Sequence, residues 1–173
     1  MLNPLQNSLI IGAVLGDSHV EKNGNHCRIR FDHGIKQEPY VEYKAKLLYP
    51  HANKISYVSI FDKRTGKHYE KVRFDTVSKN IFDTYRQLFY RGGKINIPSN
   101  IKVLLDKFAL LVWYLDDGAL KSDTLAFRFH TNNYIFGEVS LLQETLLENF
   151  GICSKKHKSG KNYIIYETVK RTS

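Results

Sequence analysis

Two apolar stretches that end in aspartate decide the fold of this chain. Residues 9–16 read Leu-Ile-Ile-Gly-Ala-Val-Leu-Gly and are followed by Asp17, and residues 108–116 read Phe-Ala-Leu-Leu-Val-Trp-Tyr-Leu-Asp and are followed by Asp117. The length and apolar content of each stretch predict a buried helix. The two aspartates lie at the same point of the pattern, 117 − 17 = 100 residues apart. The chain is therefore expected to contain two related halves, each beginning with such a helix.

Two glycines of the first apolar helix predict a close contact with a second helix. Gly12 and Gly16 are four residues apart on one helical face, where a second helix can approach the backbone closely.

The segments that follow each helix repeat as well. After each apolar helix, the patterns predict a strand hairpin, a second helix and two further strands. The main predicted segments are residues 26–33, 38–48, 55–61 and 69–77 in the first half, and residues 125–130, 134–150, 152–158 and 163–169 in the second. The predicted fold class is α+β, with two pseudo-symmetric αββαββ(α) repeats.

The two halves differ in length. The first half adds a predicted helix over residues 80–91, which Gly92 and Gly93 are expected to end. The second half stops at Ser173 without a matching helix. We divide the chain into a first repeat over residues 1–93, a linker over 94–107, and a second, shorter repeat over 108–173.

The net charge indicates the class of partner. The 173 residues include 26 lysines and arginines against 17 aspartates and glutamates, a formal charge of +9, and 42% of them are hydrophobic. This composition excludes a disordered basic tail and indicates nucleic acid, an anionic membrane or another acidic partner. The basic residues alternate along strand-like segments instead of lining one face of an amphipathic helix, which favours nucleic acid. The side chains expected to contact DNA are Arg28, Arg30, Lys71, Arg73, Arg128, His130, Lys156 and Lys158.

A solvated sheet face would produce the same alternation in any single strand. Three such strands in one basic chain favour a binding surface, because a cationic ribbon fits the major groove and its arginines and lysines can reach guanine edges and phosphates. Acidic residues on the same face can accept a hydrogen bond from cytosine. For Lys156 and Lys158, which lie beside a predicted turn, a solvated loop is an equal alternative.

Several other classes of protein are disfavoured. The apolar run over residues 9–15 is shorter than the roughly 20 residues that span a bilayer, and neither a secretory signal nor a transit sequence is recognisable before it. Cys27 and Cys153 are far apart and lack zinc-site spacing, so both are expected to be reduced. We expect no membrane partner and no secretion; the protein would act in the compartment where it is made.

The two aspartates indicate a chemistry. A carboxylate at the C-terminal end of a helix faces the negative end of the helix dipole, which costs roughly 0.3–1 kcal/mol at a surface. Asp17 alone would be interpreted as a turn residue, but its pairing with Asp117 favours a cation that both carboxylates hold. Oxygen ligands of this kind suit Mg²⁺, which binds one or two carboxylates together with substrate phosphates. Phosphodiester cleavage is the reaction that such a centre supports.

The two motifs resemble those of a known family. Residues 10–18, Ile-Ile-Gly-Ala-Val-Leu-Gly-Asp-Ser, and residues 110–118, Leu-Leu-Val-Trp-Tyr-Leu-Asp-Asp-Gly, resemble the two signature helices of double-motif, intron-encoded LAGLIDADG homing endonucleases. The resemblance extends over nearly the whole chain. It implies an αββαββα fold in each half, two saddle-shaped antiparallel sheets around a central helix pair, and cleavage of long double-stranded DNA sites by a Mg²⁺-dependent endonuclease.

The resemblance also implies roles for single residues. The eighth position of each motif is the catalytic, metal-binding carboxylate, and the residue before it lies near the metal; these positions are Asp17, Asp117, Gly16 and Asp116. Lys94 matches a basic catalytic residue that organises solvent near the first centre. No matching lysine is found in the second half, so nicking, or binding without cleavage, remains an alternative to double-strand cleavage.

The resemblance leaves a second class of function open. Members of the family also act as RNA maturases on their host introns, and a binding-only ribonucleoprotein component would use the same basic surface. The expected partners are therefore double-stranded DNA and, in the alternative, host intron RNA. Two motifs in one chain indicate a monomer. An organelle-encoded protein would act in a mitochondrion or chloroplast, and otherwise the location would be the prokaryotic cytoplasm.

Overall fold

A computed structural model describes residues 1–120, 126–160 and 162–167. The helices are α1 (Pro4–Leu15), α2 (Glu38–Leu47), α3 (Asp83–Phe89), α4 (Ile101–Leu104), α5 (Lys107–Asp117) and α6 (Phe136–Phe150). The strands are β1 (His19–Asn23), β2 (His26–Gly34), β3 (Ser56–Asp62), β4 (Lys67–Asp75), β5 (Tyr90–Arg91), β6 (Lys94–Ile95), β7 (Gly118–Leu120), β8 (Phe127–Phe129), β9 (Ser154–Ser159) and β10 (Asn162–Glu167). No described helix is both long enough and apolar enough to cross a membrane.

The two halves have the same topology, and the predicted α+β class is confirmed. Each half contains a four-stranded antiparallel sheet, ordered β1-β2-β4-β3 in the first and β7-β8-β10-β9 in the second. In each sheet the two inner strands come from different hairpins, and the helix between the hairpins, α2 or α6, connects them. The same strand order in both halves is the structural counterpart of the repeated sequence motifs.

The central helices α1 and α5 lie side by side and run parallel. Ser8, near the start of α1, donates a hydrogen bond to Asp106, the residue before α5. In the middle of the pair, a Cβ added to Gly12 would lie 2.3 Å from the Ala109 carbonyl oxygen. At the end of the pair, a Cβ added to Gly16 would lie 2.5 Å from the Cβ of Asp116. The absent side chains of these two glycines therefore allow the close helix contact that the sequence predicted.

The start of α1 is specified locally. Asn3 accepts a hydrogen bond from the backbone N–H of Gln6, and the Gln6 side chain accepts one from the N–H of Asn3. This reciprocal cap satisfies two of the N–H groups that have no partner inside the helix. The Gln6 amide also donates to the carbonyls of Leu47 and Tyr49, so the cap anchors α1 to the end of α2.

The end of the first repeat differs from the prediction of a helix over residues 80–91. A 3₁₀ turn at Asn80–Phe82 leads into α3, which ends at Phe89, and β5 then pairs with β6 in a small hairpin. Gly92 and Gly93 have φ values of 55° and 79°, so they form the tight turn of this hairpin instead of ending a helix. Leu125, Thr168 and Val169, which the predicted segments of the second half included, lie outside the described residues.

Each sheet has a buried face and an outer face. On β2, Cys27, Ile29 and Phe31 are almost completely buried, and Phe31 stacks on Phe74 of β4 with ring centroids 4.5 Å apart. The alternation predicted from residues 26–33 therefore occurs in the structure. In the first sheet, the helices cover the apolar face, and the outer face carries Arg28, Arg30, Lys71 and Arg73.

Candidate active site

The two aspartates of the repeated motif lie at the same end of the central helix pair. Asp17 directly follows Gly16, the C-terminal cap of α1, and Asp117 is the last residue of α5. The Tyr134 hydroxyl, from the second repeat, donates a 3.1 Å hydrogen bond to the carbonyl oxygen of Leu15. A side chain of the second repeat thus binds the C-terminal end of α1, which belongs to the first repeat.

Both carboxyl groups are harder to ionise than that of an ordinary aspartate. Burial, together with the charges of Asp17 and Asp116, raises the pKa of Asp117 to about 7. Burial also raises the pKa of Asp17, although the ammonium groups of Lys44 and Lys71 oppose that shift. Asp17 is nevertheless exposed on one side and Asp117 is half-buried, so solvent reaches the pair. A bound divalent cation would stabilise both ionised carboxylates.

Asp116 differs from its two acidic neighbours because its carboxylate is already neutralised. The Nζ of Lys44 lies 2.6 Å from Oδ1 and 2.8 Å from Oδ2 of Asp116, and neither side chain has any exposed surface. Burial raises the pKa of Asp116 and lowers that of Lys44, while their mutual attraction opposes both shifts. Lys44 belongs to α2 of the first repeat, so this ion pair joins the first repeat to the end of α5.

The donor atoms fit a hard cation that keeps much of its water. The side chain of Asp116 is fully buried, whereas the residue as a whole is half-exposed, so its accessible surface belongs to the main chain. The main chain of Gly16 is half-exposed as well. Within residues 1–120, 126–160 and 162–167, no three His, Cys, Asp or Glu side chains form a metal-binding cluster. Two carboxylates with main-chain oxygens suit Mg²⁺ better than zinc, which is bound mainly through cysteine and histidine side chains.

The outer face of the first sheet carries the predicted basic residues, and each of them is paired with an acid. Arg28 contacts both Glu21 and Asp75, at 2.6 and 2.9 Å. Arg30 forms a two-pronged contact with the same Asp75. On the neighbouring strand, Lys71 and Arg73 each lie 3.2 Å from Asp32. These pairs fix the directions of the cationic groups and reduce the net positive charge of the face.

In the second sheet, the basic residues expected to contact DNA lie on two different faces. Arg128 lies on the same face as Tyr166, whose hydroxyl is 3.2 Å from the guanidinium, and the ring of Tyr166 contacts His157. His130 directly follows β8, and its backbone N–H donates to the carbonyl of Asp117. Burial lowers the pKa of His130, and the negative charge of Asp17 opposes that shift.

Lys156 and Lys158, which were expected to contact DNA from beside a turn, lie on the opposite side of this sheet from Arg128. The Nζ of Lys156 is 2.8 Å from the Ser140 hydroxyl and 4.1 Å from the Phe136 ring centroid, both on α6. Because side chains alternate along a strand, Lys158 shares the face of Lys156, whereas Lys155 and His157 share the face of Arg128. On β9, the basic side chains of the outer face are therefore Lys155 and His157. Each of them is adjacent in sequence to a residue that was predicted to contact DNA.

Lys94, the predicted basic catalytic residue, belongs to the small hairpin that follows α3. It lies exposed on β6 and lines a surface cavity with Arg91, Asn133 and Glu138. The cationic groups that act on Asp17 belong instead to Lys44, Lys71 and His130.

Sequence reasoning missed two residues that shape the site. Lys44 lies three residues after the buried Val41 on α2, and a lysine on the apolar face of a helix is a detectable signal. Tyr134 gave no such signal, because a tyrosine between a strand and a helix is ordinary. Only the packing of the second repeat on α1 shows that its hydroxyl binds the end of that helix.

Divalent cations are expected to stabilise this protein more at pH 8 than at pH 6. With a pKa of about 7, the Asp117 carboxyl is mainly protonated at pH 6, so a cation must displace a proton to bind. The measurement is the change in Tm on adding MgCl₂ at both pH values. The pH difference should shrink in Asp117→Asn, and an equal wild-type shift at both pH values would contradict the expectation.

Comparison with known proteins agrees with this geometry. The model of the LAGLIDADG DNA endonuclease family matches residues 7–173. The cytochrome b mRNA maturase bI2 of Debaryomyces hansenii is 28% identical over 158 residues, which are 88% of this chain and 59% of that protein. The DNA endonuclease I-ChuI of Chlamydomonas applanata is 27% identical over 165 residues, which are 87% of this chain and 75% of the relative.

A solved structure shares the fold. The homing endonuclease I-WcaI bound to its DNA recognition sequence superposes with a TM-score of 0.89 at 21% identity, over 97% of this chain and 77% of that one. Both saddle sheets and the central helix pair therefore belong to an established architecture. With a family model that covers nearly every residue and two motif helices packed in parallel, this chain belongs to the LAGLIDADG DNA endonuclease family.

Proposed function

We propose that this chain is a site-specific homing endonuclease that hydrolyses phosphodiester bonds in a long double-stranded DNA target with the help of Mg²⁺. The observation that supports this proposal most strongly is the position of Asp17 and Asp117. Each repeat contributes one carboxylate, and the two lie at the same end of a parallel helix pair, where burial and mutual repulsion disfavour ionisation without a cation. Such a centre has little structural value by itself, because it destabilises the folded chain.

The residues of the centre would divide the work. The carboxylates of Asp17 and Asp117 would hold the cation, together with main-chain oxygens of Gly16 and Asp116. The bound cation supplies an activated water and stabilises charge on the scissile phosphate and the leaving oxygen. The protein orients the carboxylates through the packed ends of α1 and α5. One carboxylate in each repeat would serve one DNA strand.

The outer sheet faces would contact the DNA. A two-stranded antiparallel ribbon fits the major groove, where arginine can bind guanine and a carboxylate can accept from the amino group of cytosine. In the first sheet, Asp75 holds both Arg28 and Arg30, so these arginines are oriented before the DNA arrives. Fixed side chains lose less conformational entropy on binding, which favours recognition of a defined sequence over nonspecific attachment to phosphates.

The relatives support this function. I-ChuI is a DNA endonuclease and I-WcaI was solved on its DNA recognition sequence. We propose that residues 1–93 and 108–173 act as the two DNA-binding halves of a monomer, joined by the linker over residues 94–107. The chain spans 59% of the length of the Debaryomyces relative, so a longer protein containing this region could carry further activities.

A maturase function is the second candidate, because one relative is a cytochrome b mRNA maturase. The same charged sheet faces would then bind the host intron RNA, and the aspartates would not be needed for that activity. Either function suits a protein encoded within an intron of an organelle genome, and we propose a mitochondrion or chloroplast as its location.

Cleavage of a randomised duplex library tests the proposal. The purified chain with MgCl₂ should yield cuts at a small set of related sequences, and EDTA should abolish them. Binding to a selected site should weaken by roughly 10³- to 10⁵-fold between 50 and 200 mM salt if about 6 to 10 phosphates are contacted. If no duplex is cut while intron RNA is bound tightly, the maturase becomes the better assignment and the endonuclease is contradicted.

A further inference from the structure

A third carboxylate lies beside the two proposed cation ligands. Asp116 directly precedes Asp117, and its Cβ faces the main chain of Gly16, where an added Cβ would be only 2.5 Å away. The repeats differ at this point, because the residue that corresponds to Asp116 in the first repeat is Gly16. At this motif position, only the second repeat therefore carries an additional carboxylate.

The Asp116 carboxylate is enclosed by groups of the first repeat. Both of its oxygens bind the Nζ of Lys44, at 2.6 and 2.8 Å. The same Nζ lies 3.1 Å from Nε2 of His33 and 4.2 Å above the centroid of the Tyr40 ring. Burial and the Lys44 charge lower the pKa of His33 to about 4, so its neutral imidazole can accept a hydrogen bond from the ammonium. Lys44, on α2, is thereby bound to His33 on β2 and to Asp116 on α5.

Such a buried pair has consequences for the neighbouring site. Mg²⁺ is bound through one or two carboxylates and keeps several waters. An unpaired Asp116 would add a full negative charge, or a third ligand, beside Asp17 and Asp117. The cation would then bind more tightly, but with fewer exchangeable waters and a weaker ability to polarise the phosphate. Neutralising Asp116 therefore favours cleavage, whereas leaving its carboxylate free disfavours it.

We propose that Lys44 is a positioning residue that withholds the Asp116 carboxylate from the cation site, so that only Asp17 and Asp117 act as side-chain ligands. This inference rests on the proposed function, since it assigns a role relative to that cation. It differs from a purely structural role in one respect. Loss of packing would weaken cation binding and cleavage together, whereas release of Asp116 should change them in opposite directions.

The test compares wild type with Lys44→Met and with the double variant Lys44→Met/Asp116→Asn. Methionine keeps the length of the lysine stem without its charge, and asparagine keeps the shape of aspartate without its charge. The probe for cation binding is Tb³⁺ alone, with its luminescence sensitised by Trp113, which lies one helical turn before Asp117. Cleavage of the selected duplex is measured in parallel over a MgCl₂ titration, and Tm reports folding.

In Lys44→Met, the Tb³⁺ dissociation constant should fall by about tenfold, while the cleavage rate at saturating MgCl₂ should also fall by about tenfold or more. In the double variant, both quantities should return to within about threefold of wild type, because the local net charge is restored. Weaker Tb³⁺ binding in a folded Lys44→Met protein would overturn the proposal.

The double variant keeps the inference testable if Lys44→Met alone does not fold. A folded Lys44→Met/Asp116→Asn protein that has lost cleavage would mean that the ammonium itself is required, which would also overturn it. Asp17→Asn separates this inference from the proposed function. If Asp17→Asn loses Tb³⁺ binding but Lys44→Met binds Tb³⁺ as wild type does, only the role of Lys44 fails. If wild type binds no Tb³⁺, the cation site fails, and the role of Lys44 fails with it.

Discussion

Asp17→Asn and Asp117→Asn are each expected to lower DNA cleavage by about 10²- to 10³-fold or more, because each removes a charge that holds the cation against the developing negative charge of the phosphate. Asparagine keeps the shape of aspartate, so the fold should persist. Cleavage of a plasmid that carries the selected site distinguishes between one carboxylate for each DNA strand and a centre that both strands share. Each should accumulate nicked product if one carboxylate serves each strand, whereas loss of both cuts would indicate a shared centre.

The thermal stability of Asp117→Asn should rise, although its cleavage activity falls. The pKa of Asp117 is raised in the folded chain, so the ionised carboxylate destabilises the fold once the pH exceeds its unfolded pKa, and this penalty is fully present above pH 7. Asp117→Asn should therefore raise Tm at pH 8 in the absence of a cation while it removes activity. Glu144→Gln, on the exposed face of α6, is the matched control and should change neither quantity. A lower Tm in Asp117→Asn would contradict the assignment of this carboxylate to a cation site.

Gly12→Ala is expected to destabilise the fold by about 1–3 kcal/mol. The new methyl group would lie 2.3 Å from the Ala109 carbonyl oxygen and 2.8 Å from the Cβ of Val112, so α1 and α5 must separate. Each kcal/mol should lower Tm by about 2–4 °C in a chain of this size. Because both aspartates lie at the ends of these helices, cleavage should decrease together with stability.

Gly137→Ala provides the control for the same chemical change. Gly137 lies in the first turn of α6, and an added Cβ would meet nothing within 4 Å. Alanine favours a helix over glycine by roughly 0.5–1 kcal/mol, so this variant should be as stable as wild type or more so. Equal Tm values for Gly12→Ala and Gly137→Ala would show that the central helices are not in contact at Gly12.

The site was only partly predictable from the sequence, and the reason differs from residue to residue. Asp17 and Asp117 were found because they end two apolar helices that can be recognised from a few adjacent residues. Lys94 was matched by its position in a motif, but β5 and β6 form a hairpin that leaves it exposed near Glu138. Lys156 was expected to contact DNA from beside a turn, whereas the register of β9 turns it toward α6. A shift of one residue in a strand moves every side chain to the other face, and the pattern of β9 is too polar to fix that register by itself.

The sequence by itself determined the repeated α+β architecture, the two helices and their aspartates, and the charged alternation of the first sheet. These features follow from periodicities of 3.6 and 2 residues, which local segments express without their neighbours. Only the tertiary structure decided that Lys44 neutralises Asp116 across 72 residues of chain and that Tyr134 binds the end of α1 across 119 residues. Those contacts depend on how closely α1 and α5 pack and on which faces of α2 and the second repeat meet them. No local pattern records that packing.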